Sequence, residues 1–260
     1  MYSGGSSVST TKPLSAVTRT FTILEKLSIV SDSSMEELVR ATGLAKPTVY
    51  RFLLTLRELG YVRRGEGDRW YLTMKLFGMG SRALDHIDLP VVARPIARRL
   101  SEEIGETVHM GILDEDEVLY VLKIESRYTI RMYSRVGKKI PLYCSAMGKI
   151  LLAYLDAAEL SERVSRLRLV PFTPNTIKNQ NALLKALNAV KMEGLAMDAE
   201  EHEQGITCMA APIRDSSGAV VAALSVSWPV FRFVQANKLE YRQKILYAAN
   251  EISGILGYSH

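Results

Sequence analysis

Apolar residues recur every three or four positions near the start of the chain, at Val17, Phe21, Leu24 and Leu27. This is the period of an amphipathic helix, so a helix is predicted over 15–30, with Ser15 as a plausible N-cap. The residues before it, 1–14, are rich in Ser, Gly and Thr and are expected to form a flexible tail.

Two short helices separated by a tight turn are predicted next. Ser34 to Glu37 has the S-x-x-E form of a capping box, so a helix should begin there and end near Ala41. Gly43 supplies a left-handed stop, and Pro47 suits the first turn of a second helix that ends at Gly60. Ala45, just before that helix, has no capping oxygen, which typically costs ~1 kcal/mol.

The second of these helices has two chemically distinct faces. Its apolar positions are Val49, Phe52, Leu53, Leu56 and Leu59. Its other positions include hydrogen-bonding side chains that can reach base edges or phosphates in a DNA major groove, namely Lys46, Thr48, Tyr50, Arg51 and Thr55. The pattern therefore predicts a DNA-recognition helix, in which Arg51 could fork onto a guanine.

A β-hairpin of the kind called a wing is predicted after the recognition helix. The β-prone segments 61–64 and 69–72 are joined by a turn-rich connection at 65–68. Arg63, Arg64 and Arg69 are placed to contact the DNA backbone. Each arginine alone could equally be a solvated surface residue, but the succession of helix, glycine, helix and hairpin indicates DNA binding. The winged helix-turn-helix is assigned to residues 15–73.

The pattern changes in the second half of the chain. Helices at 74–85 and 89–104, the latter kinked at Pro95, form a predicted helical linker over 74–104. Beyond it, strands are predicted at 107–113, 117–124, 129–135, 195–199, 207–214 and 219–227, and helices at 145–154, 158–167, 179–192 and 237–256. Hairpin-length links among the strands predict an antiparallel sheet with helices packed on it, an α+β domain over 105–260.

The composition limits the class of protein but does not identify its function. A chain of 260 residues, 47% hydrophobic and 23% charged, is typical of a globular protein with two domains. A net charge of +5 only mildly favours a polyanionic partner. Because no long apolar run or signal segment occurs, a cytoplasmic protein without membrane contact is expected. Cys144 and Cys208 are expected to be reduced thiols, and neither a metal site nor a cofactor is indicated.

Two segments of the second domain suggest ligand chemistry. Residues 144–149 form a small-residue turn that opens a helix, where unpaired first-turn amides suit a carboxylate. Ser225 and Ser227 are two positions apart on a strand and so point to the same side of the sheet. Taken singly, each has a structural explanation: the serines could bond to sheet neighbours, Cys208 could be a core thiol and Asp198 a turn residue.

The chain resembles the IclR family of bacterial transcription regulators in the segments LAKPTVYRFL (44–53) and LGYV (59–62). Within that family it is similar to the KdgR branch, in YLTMKL (71–76), RMYSR (131–135) and PLY (141–143). The resemblance implies an N-terminal winged helix-turn-helix, a helical linker and a C-terminal GAF-like α/β effector domain with an antiparallel sheet.

The resemblance also implies a ligand and the residues that bind it. Family members bind small organic acids through positions that match Ala146, Met147, Asp198, Cys208, Ser225 and Ser227. The expected effector is a 2-keto acid such as 2-keto-3-deoxygluconate. Met147 is bulky for a simple keto-acid site, and Glu200, Glu201 and Glu203 leave open which carboxylate faces the ligand.

The implied protein is a repressor of sugar-acid catabolic genes that binds operator DNA as a homodimer or dimer of dimers and is released by the acid. Two other functions remain open from the residues. One is an enzyme with Cys144 or Cys208 as nucleophile and His109 or His202 as base. The other is a DNA-binding protein whose C-terminal domain only oligomerises.

Overall fold

A computed structural model describes residues 15–76, 78–79, 88–129 and 134–259. The chain forms two compact units, residues 1–86 and residues 87–260. Within the described residues, no helix is both long enough and apolar enough to cross a membrane.

The first unit is a winged helix-turn-helix. Its elements are helices α1 (Ser15–Ser28), α2 (Met35–Thr42) and α3 (Lys46–Glu58) and strands β1 (Val62–Arg64) and β2 (Trp70–Leu72). The two strands form an antiparallel hairpin in which Val62 faces Leu72, and Ser33 adds a bridge to Trp70.

The predicted cap of α2 is present. Oγ of Ser34 accepts a hydrogen bond from the Glu37 amide at 3.2 Å, and the Glu37 carboxylate accepts one from the Ser34 amide at 2.7 Å. Gly43 ends the helix at φ 67°, a conformation that glycine adopts without a Cβ penalty. Ala45 precedes α3 without a side-chain cap, as its sequence requires.

The core of this unit differs in part from the predicted apolar faces. Its buried residues are Ile23, Leu24, Leu27, Leu38, Val49, Leu53, Leu56, Val62 and Trp70. Val17 and Phe21 are 51% and 55% exposed, because the buried contacts of α1 come from its C-terminal half. Leu59 is 52% exposed, because α3 has already ended at Glu58 and Leu59 is its C-cap.

The second unit is an antiparallel sheet with helices on both faces. Its helices are α4 (Leu89–Ile104), α5 (Ala146–Ala153), α6 (Ala157–Arg166), α7 (Gln180–Glu193) and α8 (Lys238–Ile255). Its strands are β3 (Thr107–Asp114), β4 (Glu117–Ile124), β5 (Lys139–Pro141), β6 (Ala196–Ala199), β7 (Ile206–Arg214) and β8 (Val220–Pro229). The spatial order of the strands is β5-β4-β3-β8-β7-β6.

Alternation along the strands separates two cores. One face packs on α4 and α8 and includes Val108, Met209 and Val226. The other packs on α5 and α7 and includes Ala210 and Ala223. Ser225 and Ser227 lie on the α5 side, since Ser225 pairs with Ala210 in β7. Their hydroxyls therefore face the start of α5.

Some predicted elements differ from the structure or lie partly outside the described residues. The helix at 89–104 packs in the core of the second unit, and the linker over 74–104 stays a prediction. The predicted helix at 74–85 is helical at 75–76 and 78–79, and its other residues beyond Met74 lie outside the described residues. The strand predicted at 129–135 is absent from residues 129, 134 and 135, and 130–133 are not described. The edge strand is instead Lys139–Pro141, where proline is tolerated because an outer amide needs no sheet partner.

Candidate functional site

The exposed surface of α3 carries the polar side chains predicted to read DNA. Tyr50, Arg51 and Thr55 are exposed, and Thr48 is half-buried beside them. Thr48, Arg51 and Thr55 share a groove with Arg19 of α1, about 340 Å³ in volume. Because the apolar side of α3 is fixed in the core, this polar side is held outward in one orientation.

The basic residues around α3 are held in different ways. The Arg63 guanidinium stacks 4.3 Å from the centre of the Tyr71 ring. Arg64 pairs with Asp68 at 2.8 Å, and Lys46 pairs with Glu36 at 2.7 Å, both on the surface. Exposed pairs of this kind exchange readily with other anions.

Arg69 is bound more firmly than the other wing arginines. Its guanidinium donates to the carboxylates of Asp32 and Glu37, and the Glu37 distance is 3.0 Å. Glu37 also belongs to the capping box of α2. Arg69 therefore fastens the wing to the start of α2.

In the second unit, all six predicted ligand-binding residues line one cavity. These are Ala146, Met147, Asp198, Cys208, Ser225 and Ser227. The cavity is also lined by six residues outside that set, namely Tyr120, Ile140, Ser145, His202, Glu203 and Ile206. The sequence had left Glu203 open as a carboxylate facing the ligand and His202 open as a catalytic base. For most of these six residues, the sequence offered only one indication that they line the cavity, which is that they lie close along the chain to a predicted residue. Tyr120 gave none, because only strand pairing brings it to this face.

The first turn of α5 forms one end of the cavity. Ser145 is the N-cap, and its hydroxyl accepts a hydrogen bond from the Gly148 amide at 3.1 Å. The amides of Ala146 and Met147 lie in the first turn, where no helix carbonyl is placed to accept a hydrogen bond from them. They are therefore available to an anion. The side of the helix facing Leu142 is very tight, since a Cβ on Gly148 would lie 2.2 Å from the Leu142 carbonyl oxygen.

A chain of hydrogen-bonded polar groups on the sheet forms the floor of the cavity. Sγ of Cys208 donates to Oγ of Ser227 at 3.2 Å, and that hydroxyl lies 3.4 Å from Nδ1 of His109. Nε2 of His109 is 2.7 Å from Oγ of Ser134. Burial lowers the pKa of His109 to about 3, helped by the charges of Lys123 and Lys138. His109 is therefore a neutral residue behind the cavity.

The structure resolves which carboxylates face the cavity. Glu201 pairs with Lys149 at 2.5 Å, and Glu200 accepts a hydrogen bond from the Gly205 amide at 2.7 Å. Neither lines the cavity, whereas Asp198 and Glu203 both do.

Asp198 is the deeper of these two carboxylates, only 4% exposed. Burial is the main cause that raises its pKa to about 7, and Glu201 adds repulsion. The Glu201 amide opposes this shift by donating to Oδ1 of Asp198 at 2.7 Å. Near neutral pH this group can both donate and accept hydrogen bonds.

The two thiols are poor candidates for nucleophiles. Burial raises the pKa of Cys144 to about 12 and also raises that of Cys208. Both therefore stay protonated at neutral pH, and the attacking species of a cysteine enzyme is the thiolate. No cluster of metal-binding side chains occurs among the described residues.

The cavity is almost closed. Its volume is about 20 Å³, which is room for about one water molecule. A ligand of several carbons can enter only if lining side chains or the 198–206 segment move outward.

Comparison with known proteins identifies both units. Residues 16–66 match the family model described as the IclR helix-turn-helix domain. Residues 81–254 match the model described as bacterial transcriptional regulator IclR C-terminal.

Individual relatives match this chain along almost its full length. The chain is 42% identical to the HTH-type transcriptional regulator KdgR of Escherichia coli over 246 residues, 94% of each chain. It is 31% identical to the transcriptional repressor IclR of the same organism, over 94% of this chain and 90% of that one. The crystal structure of the Thermotoga maritima IclR superposes with a TM-score of 0.64 at 34% identity, over 93% of this chain and 98% of that one.

Proposed function

This chain belongs to the IclR family of bacterial transcriptional regulators, and we propose that it represses sugar-acid catabolic genes until a 2-keto acid such as 2-keto-3-deoxygluconate releases it. Its relatives along the whole chain are ligand-responsive DNA-binding regulators, not enzymes. Family membership alone does not give the repressor role or the identity of the acid, and these two are what we propose.

The observation that carries the proposal is the convergence of the six predicted residues on one cavity. The amides of Ala146 and Met147 suit a carboxylate. Asp198, Ser225 and Ser227 offer hydrogen bonds at the other lining positions, as a hydroxylated carbon chain requires. The likeness to KdgR supports a sugar acid over other acids.

The small volume of the cavity supplies a route from binding to regulation. Because about 20 Å³ cannot hold the acid, the bound state must differ in structure from the closed one. A ligand that binds one state better shifts the population towards it, and equal affinity would shift nothing. The acid thus stabilises an open form of the second unit that has lower affinity for DNA.

On the DNA side, we assign Thr48, Tyr50, Arg51 and Thr55 to the major groove. Lys46, Arg63 and Arg64 are assigned to phosphates, and Arg69 to orientation of the wing. The assignment rests on the outward polar face of α3 and on the exposed wing. We further propose a homodimer or dimer of dimers in the bacterial cytoplasm, whose paired recognition helices bind the two halves of a palindromic operator.

The test is the affinity of the purified full chain for DNA upstream of its own gene, at fixed salt, with and without a panel of 2-keto and sugar acids. We expect one acid, 2-keto-3-deoxygluconate, to weaken binding about tenfold or more, which is about 1.4 kcal/mol of coupling. Tightened binding would overturn the repressor role. Specific DNA binding with no response, and no rise in melting temperature with any acid, would favour a second unit that only oligomerises.

A further inference from the structure

The lining of the ligand cavity is unusual in its balance of charge. Its twelve described residues include two carboxylates, Asp198 and Glu203, and neither Lys nor Arg. The one lining histidine, His202, does not add a cation, because burial lowers its pKa. At neutral pH the described lining therefore carries negative charge and no positive side chain.

The two lysines near the cavity lie outside its lining. Lys149 on α5 pairs with Glu201 and also donates to the Met197 carbonyl, and it does not line the cavity. The charge of Lys138 acts on His202 from a position outside the lining. The positive ends available to a ligand are the first-turn amides of α5, which together suit a single anionic group.

The cavity also has a deep end and a mouth. Ala146, Met147, Ser225 and Asp198 are buried, whereas Glu203 is exposed at the rim. A ligand whose carboxylate lies against α5 would extend its far end towards this rim. A second anionic group on that far end would lie next to Glu203.

We propose that Glu203 makes the cavity selective for acids with one negative charge, so that it accepts a sugar acid and rejects the phosphate ester of the same acid. Glu203 is thus a specificity-determining residue at the mouth, and Asp198 adds to the repulsion from inside. This inference rests on the proposed function, since it takes the ligand to be a hydroxylated monocarboxylate.

The test compares the dissociation constants of 2-keto-3-deoxygluconate and its 6-phosphate for the full chain, measured by calorimetry. We expect the unphosphorylated acid to bind at least tenfold more tightly. Glu203→Gln keeps the size of the side chain and removes its charge, so the ratio should fall several-fold, and Glu203→Lys should lower it further. Glu102→Gln removes an exposed carboxylate from α4, on the opposite face of the sheet, and should leave the ratio unchanged.

Salt provides a second readout. Because Glu203 is exposed, its repulsion is screened, and the ratio for the wild-type chain should shrink as ionic strength rises. Equal affinities for the two acids, or a ratio that Glu203→Gln leaves unchanged, would overturn the selectivity while leaving the proposed function intact. Failure to bind either acid would overturn both.

Discussion

Nζ of Lys149 lies 2.5 Å from Oε1 of Glu201, and the two side chains are only 5% and 12% exposed. The pair joins α5, whose first turn lines the cavity, to the loop that follows Asp198 and carries Glu203. Lys149 also donates to the Met197 carbonyl on the edge strand β6. The two walls of the cavity are therefore held together by one buried cation.

Lys149→Met should destabilise the second unit by about 3 to 5 kcal/mol, because it leaves the Glu201 carboxylate buried without a counter-charge. Urea unfolding followed by tryptophan fluorescence measures this loss. In a Trp70→Phe background, the reporter is Trp228, which is buried in the core of the second unit. The double variant Lys149→Met, Glu201→Gln should recover a large part of the loss. A loss below about 1 kcal/mol in the single variant would contradict a structural ion pair.

The buried carboxyl of Asp198 should make stability depend on pH. Its folded pKa, raised to about 7, lies above the ordinary value of 3.8, so the folded state holds the proton more tightly than the unfolded state. Stability should therefore fall as pH rises between these two values, by up to about 1.4 kcal/mol per pH unit, and level off above about pH 7.

Asp198→Asn isolates this contribution, because Asn keeps the oxygen that accepts from the Glu201 amide and does not titrate. Urea unfolding of both chains at several pH values gives the difference, in which the other titrating groups cancel. A difference that stays constant from about pH 5 to about pH 8 would show that the pKa of Asp198 is not raised.

Sequence reasoning succeeded where a feature depends on neighbours along the chain. The capping box of Ser34 and Glu37, the left-handed stop at Gly43 and the hairpin after α3 all rest on local backbone chemistry. The six positions predicted to bind a ligand came from a family resemblance, and their convergence on one cavity could be seen only in the fold.

The misses share a physical cause in tertiary context. Val17 and Phe21 keep helical spacing but extend beyond the contacts of α1, so period alone could not say whether they are buried. The edge strand Lys139–Pro141 is three residues long and contains proline, so it lacks the alternation that marks a strand. Tyr120 reaches the cavity only through the register of β3 and β4, which no local pattern reveals.

Gly148→Ala should abolish the response to the acid. The added Cβ would lie 2.2 Å from a backbone oxygen of Leu142, so the start of α5 must shift, and the amides of Ala146 and Met147 shift with it. The affinity for the acid should fall at least tenfold by calorimetry, and the second unit should lose a few kcal/mol of stability.

Gly254→Ala is the matched control, because it lies in α8 with nothing within 4 Å of the added Cβ. It should be neutral or slightly stabilising and should bind the acid normally. Normal acid binding by Gly148→Ala would remove the first turn of α5 from the site.

Arg51→Ala should cost about 1 to 3 kcal/mol of binding to the specific operator if its guanidinium reads a base, and much less on unrelated DNA. Arg57→Ala removes the same charge from the same helix, but about a third of a turn away around its axis, and should affect specific and unrelated DNA alike.

Arg63→Ala, in the wing, should lower the slope of log affinity against log salt by about one without changing the ratio of specific to unrelated binding. Anisotropy titrations at several salt concentrations separate these three behaviours. If Arg51→Ala weakened both kinds of DNA equally, Arg51 would be a phosphate contact, and base reading would fall to Thr48, Tyr50 and Thr55.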